Sequence, residues 1–593
     1  MKILLRWPVL ALVLVSLTSA VPGLRAATVT WDATSGTTGA QDGTGAWSSS
    51  STAFWNGSAD VTAGTSDTVT FGSATSLAAA YTVTLGGNVT VGNLAFSYSG
   101  ANNYTIAGST YTITLGGAGG TGAATITATS GTSTAIAPVI SANLANSGGL
   151  SLVGGSATLN SSLTFSGTNT FSGGLTLGDG TNLILLTANS QAALGTGAVT
   201  INPNATLRLN GSFITSSAQT ISLAGGTGDG GRGLIDLYGN GSGVAGTVTL
   251  TGNASRIRID VLTGTISGNI GESGGSQSLE YYGGTVNNVL SITGNNTYSG
   301  GTLVTAGSSG KSFTVAVSAD SAFGAVPASA STNLTFAGTG TTVLQATGSF
   351  TLNAKRNIVL SSAGHTFDTQ AYNLTIGGVV SGTTPVSKIG SGTLTLAGAN
   401  TYTGATSVSA GTLSVTGSLA NTAVSVASGA TLTGTGTIAG ATTVASGGTL
   451  AAGTATGTSL TLANGLTMAS GSTLAFVLGS GNTSSTLTLG GTASLASTLY
   501  IDLLNIQAGT YSNIITGLAS DPGESGWTLT SDDNGYSAQF SYSAGNLSVT
   551  VVAVPEPPVA ALLGAFGTVW GAGGLLRRRL FRRKGRPDAG AIL

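Results

Sequence analysis

Ser391–Val415 reads SGTLTLAGANTYTGATSVSAGTLSV. Leu394, Leu396, Val408, Leu413 and Val415 alternate with Thr and Ser, the period-2 pattern of short strands with one face inward and hydroxyls outward. Gly, Ala and Asn separate the strands every few residues, which leaves no room for a helix. The segment therefore predicts short strands joined by tight corners.

Working outward, the core unit Gly-x-Asn-Thr-aromatic-Ser/Thr-Gly occurs three times: GTNTFSG at Gly167–Gly173, GNNTYSG at Gly294–Gly300 and GANTYTG at Gly398–Gly404. The repeated positions are Asn169, Phe171 and Gly173, then Asn296, Tyr298 and Gly300, then Asn400, Tyr402 and Gly404. Each copy follows an alternating strand (SLTFSG, LSITG, TLTLAG) and precedes another. A shorter echo, apolar-x-x-Gly/Asn-x-x-Leu, appears as Ile201/Asn204/Leu207, Val426/Gly429/Leu432, Val444/Gly447/Leu450 and Met468/Gly471/Leu474. Its last three copies, opening at Val426, Val444 and Met468, recur at the spacing of one coil of a parallel β-helix. Gly and Asn suit the corner because they tolerate positive φ. Stacked Thr and Asn are expected to form ladders along the rod.

These units resemble the autotransporter-associated β-strand repeats of bacterial passenger domains, clearly over about Ser151–Leu478. The resemblance implies an all-β, right-handed parallel β-helix, a pectin-lyase-like solenoid, exposed at the cell surface. At about 20 to 24 residues per coil, residues 81–480 would hold roughly 17 to 20 coils, on the order of 80 to 95 Å of rod. Residues 27–80, with Trp31, Trp47 and Trp55, read as an N-terminal cap, and residues 481–553 as a C-terminal β cap, because exposed coil ends invite aggregation. Carbohydrate stacking is the other use such Trp residues could have.

Charged residues are only 6 % of the chain, and Gly (95 residues), Thr, Ser and Ala dominate. Between Ala27 and Val554 stand 8 basic and 17 acidic residues, a balance of 8 − 17 = −9. Such a surface lacks the clustered Lys and Arg that nucleic acid requires. With no Cys, disulfides and thiolate metal sites are excluded.

The termini carry the addresses. Lys2 and Arg6, then the apolar run Val9–Leu17, then Leu24-Arg25-Ala26 read as a secretory signal peptide over residues 1–26, cleaved between Ala26 and Ala27 or alternatively after Ala20. Export through the Sec translocon follows. Residues 559–576 carry no formal charge and are long enough for one transmembrane helix, and Arg577, Arg578, Arg579, Arg582, Arg583 and Lys584 follow as a cytoplasmic stop. Val554-Pro555-Glu556-Pro557 stands immediately before the span. This ordered tail, residues 554–593, resembles the PEP-CTERM sorting signal of Gram-negative bacteria. The resemblance implies anchoring in the inner membrane, then processing by an exosortase and release to the cell surface or extracellular matrix, with extracellular polysaccharide as a candidate partner. A Pro-rich spacer before a permanent anchor is the alternative. An autotransporter would instead end in a membrane β-barrel, which this tail cannot form.

Enzymes also occur on β-helices. Candidates for polysaccharide cleavage are Asp229, Arg232 and Asp236, with Arg256, Arg258 and Asp260; Asp236 and Asp260 are separated by one coil length. Solvated charges on neighbouring coils explain them equally. Gly230–Asp236 lacks the tandem copies and spacing of a calcium nonapeptide. The single histidine, His365, excludes a multi-His metal site and is expected in a surface turn. Asp532-Asp533-Asn534-Gly535 reads as a hairpin turn. The sequence thus predicts a non-catalytic surface or matrix protein acting in adhesion or polysaccharide association, with no catalytic residue, metal or cofactor, and a β-helical lyase or glycoside hydrolase as the alternative.

Overall fold

The computed structural model describes residues 26–73, 76–130, 134–530 and 535–554. The signal segment through Arg25, the Asp532-Asp533-Asn534 turn, Pro555-Glu556-Pro557, the 559–576 span and the basic cluster from Arg577 to Lys584 lie outside them. Among the described residues, no helix is long and apolar enough to cross a membrane. The only helical turns there are 3-10 segments of three or four residues.

The chain winds into a parallel β-solenoid of about 19 turns. Its coils stack in register. On one face Val29, Val69, Leu94, Ile126, Leu152, Leu177, Ile201, Leu223 and Leu250 follow one another along the rod. Toward the C-terminus an equivalent column runs Leu374, Leu394, Leu413, Leu432, Leu450, Leu474, Ile501 and Leu529. All the column members but Leu529 are buried, and they merge into one continuous core. Outward positions stack hydroxyls instead, as in Thr393, Thr412, Thr431, Thr449 and Thr473. Each coil alone has too little core to be stable, so stability resides in burial between neighbours.

Coil length varies because corners absorb insertions. Leu432 pairs with Leu450 across a short coil, whereas Val304 pairs with Phe336 across a much longer one. The strands Ser331–Ala346 and Arg356–Asp368 bend around a corner without breaking, so two faces of the rod share one ladder there, with a register shift at Gly338/Thr341. The short-echo corners behave as their residue types require: Asn204, Gly429, Gly447 and Gly471 have φ of 66°, 75°, 76° and 76°. Gly429 N–H donates to Gly447 O and Gly447 N–H to Gly471 O, both at 2.8 Å, so this corner is itself a ladder.

The solenoid begins before Tyr81 and continues past Ser480. Thr28–Trp31 already pairs in parallel with Thr68–Phe71, and Tyr500–Leu504 with Thr528–Leu529. At the N-terminal end Trp31 and Trp47 are buried against Phe54 and Phe71, with ring centroids 5.6 to 6.1 Å apart. Phe54 belongs to the antiparallel pair Phe54–Trp55 and Asp60–Val61. Trp31 and Trp47 thus offer no open face for a sugar. At the other end the parallel order gives way to antiparallel pairing of Gly509–Thr516, Asn546–Ala553 and Tyr536–Ser543.

Candidate functional site

The repeat motif is a device for joining coils. Asn169, Asn296 and Asn400 are each at most 5 % exposed. Asn169 Oδ1 accepts from Leu144 N–H at 2.8 Å, and its Nδ2 donates to Ala193 O at 2.7 Å. Asn296 does the same between Ile270 N–H and Ala322 O, both 2.8 Å. Asn400 accepts from Val380 N–H at 2.9 Å and donates to Gly398 O and Ser418 O at 2.9 and 3.1 Å. One carboxamide therefore clamps the coil before it to the coil after it, a task that suits Asn because its acceptor oxygen and donor NH2 sit on separate atoms pointing apart. These Asn side chains bridge backbone groups and do not stack on one another.

The aromatic beside each clamp is buried: Phe171, Tyr298 and Tyr402. Tyr298 Oη and Tyr402 Oη share hydrogen bonds of 2.7 and 2.9 Å with Thr302 and Thr406, each 4 residues further along the chain. Phe171 has no hydroxyl, and the buried Leu175 stands where the other copies place Thr302 and Thr406. The motif's closing glycines serve close approach: a methyl group at Gly173, Gly300 or Gly404 would overlap the backbone of the preceding coil at Ser147, Gln277 or Thr384.

The candidate charges gather on another stretch of the rod. In register from coil to coil run Arg208, Asp236, Arg258 and Tyr282, while Arg256 lies beside Glu280. Four ion pairs result: Arg208–Asp236 at 2.9 Å, Arg256–Glu280 at 2.8 Å, Arg258–Asp260 at 2.9 Å and Arg232–Asp229 at 3.5 Å. Two tyrosines join them. The Arg208 guanidinium lies 4.1 Å over the ring of Tyr238, which is 47 % exposed. Arg256 and Arg258 lie 4.6 and 5.6 Å from the ring of Tyr282. An open groove of about 190 Å³, lined by Ser278, Glu280, Leu303, Asn333 and Thr335 among others, continues beside Glu280.

Asp229 and Asp236 are wholly buried. Burial raises both carboxyls to about 6; Arg208 and Arg232 offset this in part, and Asp260 adds to it at Asp236. The predicted charges thus share one region, yet its two least solvated carboxylates cannot be reached by a polymer and the third, Asp260, is tied to Arg258. Among the described residues no group of three or more His, Asp or Glu could hold a metal. Sequence reasoning missed Arg208, Tyr238, Glu280 and Tyr282. Regular coil spacing marks Tyr282 from Arg258, but Arg208 stands further from Asp236 because the turn at Asp229–Gly231 lengthens that coil.

His365 is not in a surface turn. It lies in the Arg356–Asp368 strand, 2 % exposed, with ring centroids 4.4 Å from both Phe336 and Phe367. Its Nδ1 meets Thr342 Oγ1 at 2.9 Å, and burial lowers its pKa to about 3. Alternation with Phe367 carries it inward. Arg356 and Lys388 are also buried. Lys388 Nζ donates to the carbonyls of Ile389, Gly390 and Ala410 at 2.9 to 3.1 Å, and Arg356 binds Asp320 and the carbonyls of Phe323 and Gly324 at 2.9 to 3.0 Å.

No curated protein matches the chain. Residues 160–181, 288–308 and 386–415 match the passenger-associated-transport-repeat family. Each matched stretch contains one Asn clamp with its aromatic. These repeats, strung along a β-solenoid, make the chain similar to an autotransporter-like passenger domain and point to an exported, surface-exposed protein.

Proposed function

We propose that this chain is a non-catalytic surface rod, sorted by an exosortase-type enzyme through its C-terminal tail, that associates with extracellular polysaccharide in adhesion or matrix building. One observation carries the binding reading. Beside the ion pairs, exposed Tyr238 and half-buried Tyr282 stand two coils apart, about 9.6 Å along the rod at ~4.8 Å per coil and offset by two residues across it, each backed by an arginine held in an ion pair. Tyr rings stack on the C–H faces of sugars, and the part-exposed Arg256–Glu280 and Arg258–Asp260 pairs suit vicinal hydroxyls. The ion pairs nearly cancel in charge, which favours a neutral or weakly acidic polymer over a polyanion.

Affinity electrophoresis through gels containing defined polysaccharides tests this. Retardation that is lost in Tyr238→Ala, with no oligosaccharide released, is the expected result. Release of oligosaccharides that stops in Asp236→Ala would replace it with the lyase or hydrolase reading. The sorting step is tested by the mass of the mature C-terminus: a protein still ending in its arginine cluster would refute processing.

A further inference from the structure

The last sheet ends differently from all the others. Among the described residues, the strands that end a sheet are two or three residues long, with one exception: Tyr536–Ser543, of eight residues, whose only strand neighbour is Asn546–Ala553. Long edge strands are usually blunted by charge, proline or a bulge, since their bare N–H and C=O groups template further pairing. This edge, YSAQFSYS, has no charged residue and no proline, and its pairing with Asn546–Ala553 runs from end to end without a register shift.

Its two faces are sorted as well. Tyr536, Ala538, Phe540 and Tyr542 pack onto the end of the rod, with Phe540 edge-on to Trp527 at 5.4 Å, while Ser537, Gln539, Ser541 and Ser543 are exposed. Because the sheet stacks along the rod axis, the free edge faces away from the rod at its C-terminal end.

We infer that this edge pairs with the same strand of a second copy of the chain, joining two rods tail to tail. A two-fold axis perpendicular to the sheet makes the pairing antiparallel and keeps matching faces together. The apolar row of one copy then continues into the apolar row of the other, and the Ser/Gln row into the Ser/Gln row. The absence of charge on the strand means that self-pairing brings no like charges together, which is the usual bar to an isologous edge contact.

The full chain contains no cysteine, so single substitutions report the contact directly. Ser537→Cys, Gln539→Cys and Ser541→Cys each place a thiol on the exposed face, and facing residues of an antiparallel pair lie within disulfide reach. Two differently tagged copies of the full chain are mixed and mildly oxidised. The expected result is a mixed-tag dimer that is strongest at the position nearest the axis and falls off on either side. Ser407→Cys, exposed in the middle of the rod, is the control. In the best cross-linking background, adding Lys at the other two of these three positions should reduce the dimer at least tenfold. No cross-link at any of the three positions, cross-linking no stronger than at Ser407, or a dimer that withstands the lysines would each overturn the inference.

Discussion

Replacing Asn400 by Ala or Asp tests the coil clamp most directly. The Ala variant removes three hydrogen bonds and strands the buried Val380 N–H, while the Gly398 carbonyl keeps its bond from Ser418 N–H at 3.1 Å. The stranded N–H costs about 1 to 3 kcal/mol and the two lost carbonyl contacts add about 1 kcal/mol, so the total expected loss is about 2 to 4 kcal/mol. In Asp, the donor amide becomes an oxygen facing two carbonyl oxygens. At neutral pH that variant should be worse than Ala, since the carboxylate is buried as well as repelled. Once protonated, its O–H can donate to one carbonyl while its other oxygen accepts from Val380 N–H. The Asp variant should therefore gain on the Ala variant as pH falls from 7 to 4.

Hydrogen exchange read by mass spectrometry is the suitable assay, because a solenoid opens locally and a single unfolding free energy does not describe it. Faster exchange is expected around Val380–Gly382 and Ser418–Leu419, the strands on either side of the clamp, with little change near Leu177. A loss below about 1 kcal/mol in the Ala variant, exchange that rises evenly along the rod, or an Asp variant that tracks Ala at every pH would refute the clamp.

Three further outcomes follow from the same geometry. Gly404→Ala drives a methyl group into the backbone of Thr384 and should open the local coil by about 1 to 3 kcal/mol, whereas Gly429→Ala meets no neighbouring atom and is strained only by its φ of 75°, so hydrogen exchange in the flanking strands should rank Gly404→Ala as the worse of the two. Tyr298→Phe should cost about 1 kcal/mol, and Tyr298→Phe with Thr302→Leu should recover part of the loss, since that pair reproduces Phe171 with Leu175; a double variant no better than the sum of its parts refutes the coupling. His365 stays neutral when folded down to about pH 3 but takes up a proton below about 6.5 when unfolded, so the local stability of the Arg356–Asp368 strand should fall as pH drops through that window, by at most about 1.4 kcal/mol per unit. Asp229 and Asp236, raised to about 6, act in the opposite direction between about 6 and 3.8, so the comparison is exchange at Thr366–Asp368 in the wild type and in His365→Phe; equal acid sensitivity in both would refute the assignment.

The fold was legible because a solenoid writes itself locally. The corners at Asn204, Gly429, Gly447 and Gly471 were readable from residue type and spacing, since positive φ restricts the choice to a few residues. Inward columns such as Leu394–Leu413–Leu432 were readable from alternation. Cross-coil chemistry was not. Asn169, Asn296 and Asn400 stood out as a repeated motif, but nothing in sequence says that a carboxamide reaches both neighbouring coils. His365 defeats the reading from composition because SSAG before it looks like a turn, whereas the strand bends through that corner and continues. Lys388 lies in register with Phe367 and Val408, an inward position that a lysine normally avoids and that is satisfied here only by three carbonyls at the corner.

The three repeats within one chain also rank the parts of the motif. Asn and the closing Gly are the same in every copy, while Phe171/Leu175 stands where the others have Tyr298/Thr302 and Tyr402/Thr406. An apolar pair replaces a hydrogen-bonded pair without disturbing the coil, so the aromatic position asks for buried volume and tolerates either chemistry, provided both members change together. The clamp and the close approach admit no such exchange. The Asn and aromatic side chains face inward or toward the next coil, and the motif shows the surface only its glycines and small hydroxyls such as Thr170, Ser172, Thr297, Ser299, Thr401 and Thr403. The repeats are therefore how the rod is built, and whatever distinguishes this rod from another must lie where the pattern is interrupted: on the charged and aromatic face between Arg208 and Tyr282, and along the bare edge at Tyr536–Ser543.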